Sequence, residues 1–483
     1  MNNKRYLSIV DNGFLITETE DSPKHIGSLL IYRKPEGADE NFVHALYQKW
    51  LTVKEAYPPY NLKLNITNPL APYYLEDPDF DPVDHVEYLK MPEGSSREKL
   101  YAKVSELHEI LTDRSLPLWR CYLIDGLSDN RFAVYFRGHH CMVDGISAGK
   151  IMMEFHAKDA ETLDLPPFWA MPDNPYNKKS SRKRPSMMER LKNMATSNVK
   201  TAVGISRIST QLCLEAAGLT KNAISLPFTS SKSALTGSIT YKRSFSTASL
   251  PMDRVSNLQK ISRNTLNHVA LTCLDGAIHR YLDHIGRPLD EPLTITMPVS
   301  LRREDAKVGG NQIGLVATKL ADRTDDPVIR LREIGVSLQS IRHQIDTSPA
   351  ASIQAYSLLT NGFSQLMESA KAAQFIPALS HTIVSNVPGP KQTLYMEGAK
   401  LEEWYPVSTL GPGHRLNVTM FSYDGQLHFG LIASKDYLPD LNVLGGYIYE
   451  AFEELEAVLQ SPDMGTSLLE AKRQHRLSGV EQS

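Results

Sequence analysis

The sequence predicts an α/β protein built as two large domains. Its 483 residues are too many for one ordinary hydrophobic core. Apolar residues make up 41% and charged residues 22%, which is the balance of a globular protein. Short apolar stretches alternate with amphipathic stretches along the chain, and this alternation is typical of sheets that are covered by helices.

In the first half, residues 26–32 and 131–136 are short, apolar and bounded by turn residues, which predicts two strands. Residues 42–55 and 97–112 have the apolar spacing of amphipathic helices. In the second of these, the repeating apolar positions are Leu100, Val104, Leu107 and Leu111.

A proline-containing basic segment separates the two halves. It predicts a first domain over 1–170, a linker with a helix over 171–235, a second domain over 236–460 and a polar tail over 461–483. The second half predicts helices at 251–262, 267–284, 326–346 and 352–371. It also predicts strands at 292–298, 380–386, 415–422 and 426–433, the last two joined by the turn dipeptide Asp424-Gly425.

Charge and cysteine content exclude several classes of protein. The formal net charge of −3 gives no basic field for nucleic acid. The four cysteines form no C-x-x-C pair, so neither a zinc ribbon nor a disulfide framework is indicated, and a reducing, cytoplasmic setting fits best. No run reaches about 18 uncharged apolar residues, so membrane contact is expected only at the surface. The basic residues between Lys178 and Lys192 are either a solvated linker or a contact for anionic lipid.

The stretch "FRGHHCMVDGISAGK" (136–150) is the strongest candidate site. Neighbouring side chains of a strand point to opposite faces, so His139 and His140 should diverge, which argues against a shared metal ion. Asp144 and Gly145 indicate a turn before a helix, and an imidazole at the end of a strand lies where α/β proteins form ligand crevices. The alternative is two core histidines that are satisfied by the backbone.

A neutral imidazole at this position can take a proton from a hydroxyl or thiol that attacks a carbonyl. The G-x-S-x-G spacing of Gly145, Ser147 and Gly149 falls in the helix predicted after the turn and not at the end of the strand, so it does not indicate a nucleophile elbow. Alternation turns Cys141 away from His140 as a buried thiol. A base that acts directly on a substrate therefore explains the pattern better than a catalytic triad.

"HHCMVDG" resembles the H-H-x-x-x-D-G motif of CoA-dependent acyltransferases. Further blocks resemble, in the same order, those of the bacterial wax ester synthase/diacylglycerol acyltransferase family. They are "LSIVDNGFLITETEDSPKHIGSLLIY", "PLW" (117–119), "TMPVSLR" (296–302), "GNQIG" (310–314), "SNVPGP" (385–390) and "SYDGQLHFGLIASKDYLPD". The resemblance extends from about residue 6 to about residue 455.

This resemblance implies two domains of chloramphenicol-acetyltransferase type, with mixed sheets and a substrate tunnel between them. His140 would be the general base of a direct ternary-complex reaction between acyl-CoA and either diacylglycerol or a long-chain alcohol. It implies acyl-CoA as a substrate and no cofactor, metal or nucleic acid. The enzyme would be cytoplasmic and peripherally associated with a membrane or lipid droplet.

The resemblance also implies supporting roles for other residues. His139, Asp144 and Gly145 would shape the turn, and Asp144 would pair with Arg302. Asn267 would donate to an oxyanion or shape the pocket, and His268 stands where the family has Asp. Pro117, Leu118 and Trp119 would line the acceptor tunnel, although the same three residues fit an ordinary hydrophobic corner.

Two other classes of protein share these features. One is another CoA- or carrier-dependent acyltransferase or condensation enzyme of the same superfamily, which should lack the "PLW" and "SNVPGP" blocks together. The other is a non-catalytic lipid-binding relative, against which the intact His140, Asp144 and Gly145 argue.

Overall fold

The computed structural model describes residues 4–69, 71–143, 145–173, 228–300, 313–347, 350–370, 372 and 375–461. Over these residues it contains two six-stranded mixed sheets and one three-stranded sheet, with helices packed against them. The strands are β1 Arg5–Tyr6, β2 His25–Arg33, β3 Leu62–Asn65, β4 Tyr73–Glu76, β5 Val86–Ser95, β6 Trp119–Leu127, β7 Arg131–His139, β8 Arg243–Pro251, β9 Thr294–Ser300, β10 Ile313–Lys319, β11 Thr382–Val387, β12 Tyr395–Met396, β13 Ala399–Val407, β14 Leu416–Tyr423 and β15 Gln426–Ser434. The helices are α1 Ile9–Thr17, α2 Phe42–Leu51, α3 Arg97–Glu109, α4 Gly145–Phe155, α5 Met252–Ser262, α6 Leu266–His284, α7 Pro327–Thr347, α8 Ala350–Ser369 and α9 Leu441–Gln460.

The predicted α/β class is confirmed, and each helix and strand named from the described sequence is present with bounds shifted by a few residues. Two helices end earlier than predicted, at Leu51 and Glu109. The second ends because Ile110 has an extended backbone, with φ −76° and ψ 124°. Leu111 is therefore not part of the helical stripe and is exposed.

Several strands were not predicted from the sequence, among them β5, β8 and β13. β5 and β13 carry charged residues at positions that break a clean apolar alternation. In β13, a bulge between Leu401 and Glu403 also shifts the register against β2. The alternation of apolar and polar residues that predicts a strand is therefore weak in β5 and β13.

The first large sheet has the strand order β12-β13-β2-β7-β6-β5. Antiparallel pairing of β2 with β7 places His25 opposite His139, so the histidine motif begins at the edge where β2 starts. One face of the sheet packs against α2 and α4 through an aromatic core, and the other packs against α3.

Strands β12 and β13 belong to the half of the sequence that was assigned to the second domain, 236–460, but they complete the first sheet. Glu402 of β13 accepts hydrogen bonds from Arg33 (2.6 Å) and Arg131 (2.8 Å), which lie on β2 and β7. Glu403 binds Arg97 at the start of α3. The crossing strand is thus fixed by backbone pairing and by ion pairs.

The second large sheet has the order β10-β9-β11-β14-β15-β8, with β9, β11 and β14 parallel. Helices α6 and α9 cover one face and pack against each other over a continuous apolar core. α7 packs beside them, and α8 packs against β10 at the sheet edge.

Helix α3 bridges the two sheets by covering the edge strand β8. Its Tyr101 hydroxyl lies 2.7 Å from Thr247 Oγ1, and its Ser105 Oγ accepts the N–H of Phe245 (2.9 Å). Glu109 accepts the N–H of Arg243 at 2.8 Å. These contacts occupy backbone donors that an exposed edge strand would offer to other chains.

Most of the predicted linker (174–227) and the tail from residue 462 lie outside the described residues, so the boundaries proposed there stay predictions. Within the described parts of the chain, no helix is both long enough and apolar enough to cross a membrane.

The close approach of β13 to β15 generates a stability prediction. A Cβ at Gly430 would overlap the carbonyl group of Pro406, whereas a Cβ at Gly446, within α9, would meet no atom within 4 Å. Gly430→Ala should therefore destabilise the protein by about 1–3 kcal/mol. Gly446→Ala should stabilise it by about 0.5–1 kcal/mol, because alanine favours helix. Urea unfolding followed by circular dichroism measures both, and equal midpoints for the two variants would contradict this packing.

Candidate active site

The two histidines of the motif lie at the end of β7 and have different surroundings. His139 is fully buried, while His140 is partly buried. The N–H of His139 donates to Leu118 O and the N–H of His140 donates to Lys24 O, both at 2.8 Å. The backbone of the pair is therefore held by strands or loops on both sides.

The His139 side chain is part of a buried ionic cluster. Its Nε2 lies 3.3 Å from Glu18 Oε1, and its Nδ1 accepts the N–H of Cys141 (3.1 Å). Because a backbone N–H points at Nδ1, we assign the proton to Nε2, which faces the carboxylate. Glu18 also accepts from the Lys24 N–H (3.1 Å) and Arg114 (3.0 Å).

Burial alone would raise the pKa of Glu18, but the contacts with His139, Lys24 and Arg114 lower it to about 2. Glu18 is therefore ionised at neutral pH and fixes the orientation of the His139 ring. This arrangement makes His139 a supporting residue of the turn.

The His140 ring stacks on Phe14 of α1, with a centroid distance of 4.1 Å and an interplanar angle of 9°. One face of the imidazole is thus covered, and the ring plane is defined by an aromatic neighbour. Partial burial keeps the ring within reach of a ligand. The two imidazoles therefore differ in burial and in their neighbours.

The turn after the pair leads into α4 at Gly145, as predicted. A side chain at Gly145 would meet no atom within 4 Å, so crowding does not explain a glycine at this position. Asp144 and Arg302 lie outside the described residues, and their predicted pairing stays a prediction.

Cys141 is a buried thiol, as predicted. Its Sγ lies 3.0 Å from the Tyr74 hydroxyl, and it packs with Leu118 in a small apolar cluster. This cluster joins the three-stranded sheet to α1.

Asn267 and His268 lie in the first turn of α6. The Oδ1 of Asn267 accepts from Asn386 Nδ2 at 2.7 Å, so the first turn of α6 contacts the end of β11. Asn386 belongs to the "SNVPGP" block and ends the strand that was predicted at 380–386; the sequence analysis gave it no functional role.

His268 completes a capping box at the start of α6. Its Nδ1 accepts the N–H of Thr265 (3.1 Å), and the Thr265 side chain accepts the N–H of His268. An aspartate at this position could accept the same N–H. The histidine at this position therefore has a local structural role.

The three residues of "PLW" precede or begin β6. Leu118 is fully buried in the small cluster with Cys141. Trp119 is also fully buried, donates from Nε1 to Tyr60 O (2.8 Å) and stacks on His85 at 4.4 Å. These surroundings are those of a hydrophobic corner, and tunnel lining by Pro117, Leu118 and Trp119 stays a prediction.

Sequence reasoning missed Glu18, Phe14 and Asn386. The first two lie more than a hundred residues before the motif, and nothing in their local spacing marks them as partners of histidine. Asn386 could have been found, because a polar side chain ends the predicted strand beside "VPGP". In the described residues, no group of three or more His, Cys, Asp or Glu side chains could hold a metal ion.

Two six-stranded mixed sheets, the first completed by β13 from the C-terminal half, together with an H-H-x-x-x-D-G sequence at the end of β7, define the class of two-domain acyltransferases. Known proteins agree with this class. The starter condensation domain of rhizomide synthetase, solved with C8-CoA and Leu-SNAC, superposes with a TM-score of 0.51 at 14% identity, covering 95% of each chain, and so shares the fold.

The family is shown by closer matches. Residues 7–270 match the wax ester synthase/diacylglycerol acyltransferase catalytic domain, and residues 309–456 match the C-terminal domain of the same family. The O-acyltransferase WSD of Acinetobacter baylyi is 30% identical over 94% of this chain and 98% of its own. The wax ester synthase/diacylglycerol acyltransferase of Marinobacter aquaeolei VT8 has a TM-score of 0.71 at 25% identity, covering 94% of this chain and 100% of that structure. The chain belongs to the wax ester synthase/diacylglycerol acyltransferase family and is an acyltransferase.

The capping role of His268 generates a pH prediction. Burial lowers the pKa of His268 below its ordinary value of 6.5, so the unfolded chain binds this proton first as pH falls. The stabilisation is complete above pH 6.5 and declines as pH falls below it. The cap itself breaks when pH falls through the lowered pKa, because the imidazolium has lost its acceptor and places a positive charge at a helix N-terminus. His268→Asp should match the parent within about 0.5 kcal/mol at pH 7.5 and exceed it by about 0.5–1 kcal/mol at pH 5.5.

Urea midpoints of parent and variant at the two pH values measure this difference. A variant that is less stable than the parent at both pH values would show that the histidine has a second structural role.

Proposed function

We propose that this chain transfers a long-chain acyl group from acyl-CoA to the hydroxyl of diacylglycerol or of a long-chain alcohol, with His140 as the general base. The observation that carries the proposal is the position of His140, partly buried at the end of β7 and held by its backbone and by Phe14. The substrate classes are supported by the family and by the names of the Acinetobacter and Marinobacter relatives.

In the proposed reaction, a ring nitrogen of His140 takes the proton of the acceptor hydroxyl as its oxygen attacks the thioester carbonyl. The C–O bond forms, the tetrahedral oxyanion collapses, and the C–S bond breaks. The CoA thiolate leaves and receives the proton from the imidazolium. The atoms balance with one imidazole and two substrates, so the scheme requires neither a cofactor nor a metal.

A covalent acyl-enzyme is not part of this scheme. The thiol nearest in sequence, Cys141, is buried against Tyr74 and Leu118 rather than directed with His140. The rate gain would come from holding both substrates in line with the base. A positioned base alone contributes roughly 10² to 10⁴ in rate.

Asn267 is the proposed oxyanion donor. Its carbonyl oxygen is occupied by the Asn386 amide, which orients its own amide nitrogen as the remaining donor. Such a preorganised donor stabilises charge that develops during attack. Asp144 and Gly145 would complete the turn that presents His140, as the family motif implies.

Substitution of each histidine tests the assignment of the base. His140→Ala should lower kcat at least 100-fold, because the base is removed from a site that otherwise stays folded. His139→Ala should retain more activity, because it removes a buried partner of Glu18 and its effect should follow the loss of stability. Thiol release from palmitoyl-CoA, with hexadecanol and dipalmitoylglycerol as separate acceptors, measures both.

If folded His139→Ala has the lower kcat, the roles of the two histidines are reversed. If the parent releases CoA with neither acceptor but does so with an amine, the chain is a condensation enzyme. Binding of acyl-CoA without release would identify a lipid-binding relative.

We further propose that the enzyme works at a membrane or lipid-droplet surface in the cytoplasm. Its proposed substrates partition into such surfaces, and the basic residues between Lys178 and Lys192 are suited to anionic head groups, at about 1 kcal/mol each. Binding to anionic vesicles should weaken as salt rises, because a Debye length of about 8 Å screens the attraction.

Replacement of five basic residues by Gln tests this contact; the five are Lys178, Lys179, Arg182, Lys183 and Arg184. Binding to anionic vesicles should fall at least tenfold, while turnover of detergent-solubilised substrate stays unchanged. Neutral vesicles are the control. If the Gln variant sediments with anionic vesicles like the parent, the contact is elsewhere, and the exposed apolar side chains Leu359, Phe363 and Leu366 of α8 become the surface to substitute.

A further inference from the structure

Lys24 is a buried cation next to the catalytic turn. It immediately precedes β2 and is 1% exposed. Its ammonium group donates to Ser22 Oγ (2.6 Å) and lies 3.5 Å from Glu368 Oε1. A lysine is almost never buried to this degree without partners, so the site must be explained by its contacts.

The backbone of Lys24 holds both histidines of the motif. Its carbonyl accepts the N–H of His140 (2.8 Å), and its N–H donates to Glu18, the carboxylate that pairs with His139. A displacement of Lys24 would therefore move the backbone of His140 and the partner of His139 together.

The side-chain partner of Lys24 comes from the other half of the chain. Glu368 lies near the end of α8, and its second oxygen accepts the N–H of Gly413 at 2.7 Å. One residue before Lys24, Pro23 O accepts from the Thr409 hydroxyl (2.8 Å). The segment Pro23–Lys24 is thus bound at two points to the C-terminal half.

The charges of Lys24 and Glu368 stabilise each other in this buried site. Burial lowers the pKa of Lys24, and Glu368 opposes that effect. Removing either partner leaves the other charge buried and unpaired, which costs several kcal/mol and favours rearrangement of the local backbone.

We propose that the Lys24–Glu368 ion pair is a positioning element that sets the His140 turn relative to the C-terminal half of the enzyme. Lys24 acts through the His140 backbone and does not contact substrate. The effect on turnover rests on the proposed function, in which His140 is the base. The effect on the position of the His140 backbone is independent of the proposed function.

A matched control exists at the other end of the same strand. Lys34 directly follows β2 and pairs with Asp125 at 2.8 Å, with side chains that are 11% and 3% exposed. Lys34→Met therefore removes a similar buried lysine–carboxylate pair from β2, but far along the strand from His140. The experiment compares Lys24→Met, Glu368→Gln, the double variant and Lys34→Met in the full-length enzyme.

Two measurements are made on folded protein. Hydrogen–deuterium exchange reports the His140 amide, whose acceptor is Lys24 O. Steady-state kinetics with palmitoyl-CoA and an acceptor separate kcat from KM. We expect Lys24→Met to speed exchange at residues 139–141 more than elsewhere, and to lower kcat about 10- to 100-fold with KM within about twofold, because small misplacements of a base have effects of that size.

The double variant should lose no more kcat than Lys24→Met alone, because the two residues act as one unit. Lys34→Met should lower the melting temperature without selective exchange at 139–141 and without a change in kcat. The proposal is overturned if Lys24→Met exchanges at 139–141 no faster than Lys34→Met and keeps the parental kcat. If the parent itself transfers no acyl group, the proposed function fails, and the exchange data still decide the positioning role.

Discussion

Strand β13 is the constraint on which the arrangement of the two sheets depends. It pairs with β2 over most of its length, and it passes so close to β15 that only glycine fits at position 430. Because β13 leaves the second half of the chain to complete the first sheet, the sheets cannot slide without breaking a backbone ladder. β2, the strand that pairs with β13, also pairs with β7, which ends in the histidine motif, so the position of that motif depends on this junction.

Features that depend only on neighbouring residues could be predicted from the sequence. Alternation along a strand was sufficient to infer that His139 and His140 diverge, because that rule needs no knowledge of distant partners. The helix after the turn and the hairpin at Asp424-Gly425 follow from equally local signals.

Features that depend on distant packing could not be predicted in this way. The partners of the two histidines, Glu18 and Phe14, come from the N-terminal segment, and only the folded chain brings them together. The sequence analysis did not predict β13, because charged residues and a bulge interrupt the alternation of apolar and polar residues along this strand. The role of Trp119 could not be predicted either, because an aromatic residue in the core and one that lines a ligand site have the same sequence signature.

The different surroundings of the two imidazoles agree with different chemical roles. His139 faces the ionised Glu18 and receives a backbone N–H on its other nitrogen, which fixes one tautomer. His140 is instead positioned by its backbone and by an aromatic face. These surroundings support the proposal that His140 reacts while His139 supports the turn.

The junction between the two halves of the chain contains buried charged side chains that the stability of the fold does not require. Besides Lys24, Arg243 of β8 is buried there, donates to Asp21 O (3.0 Å) and has a pKa that burial lowers to about 10. Well-packed apolar side chains could replace such groups at little or no cost in stability. Apolar contacts, however, tolerate small sliding movements, whereas hydrogen bonds to single carbonyl oxygens define direction and distance. We interpret the buried cations as a second feature that, together with β13, fixes the two halves in one relative position, as the proposed reaction between two substrates would require.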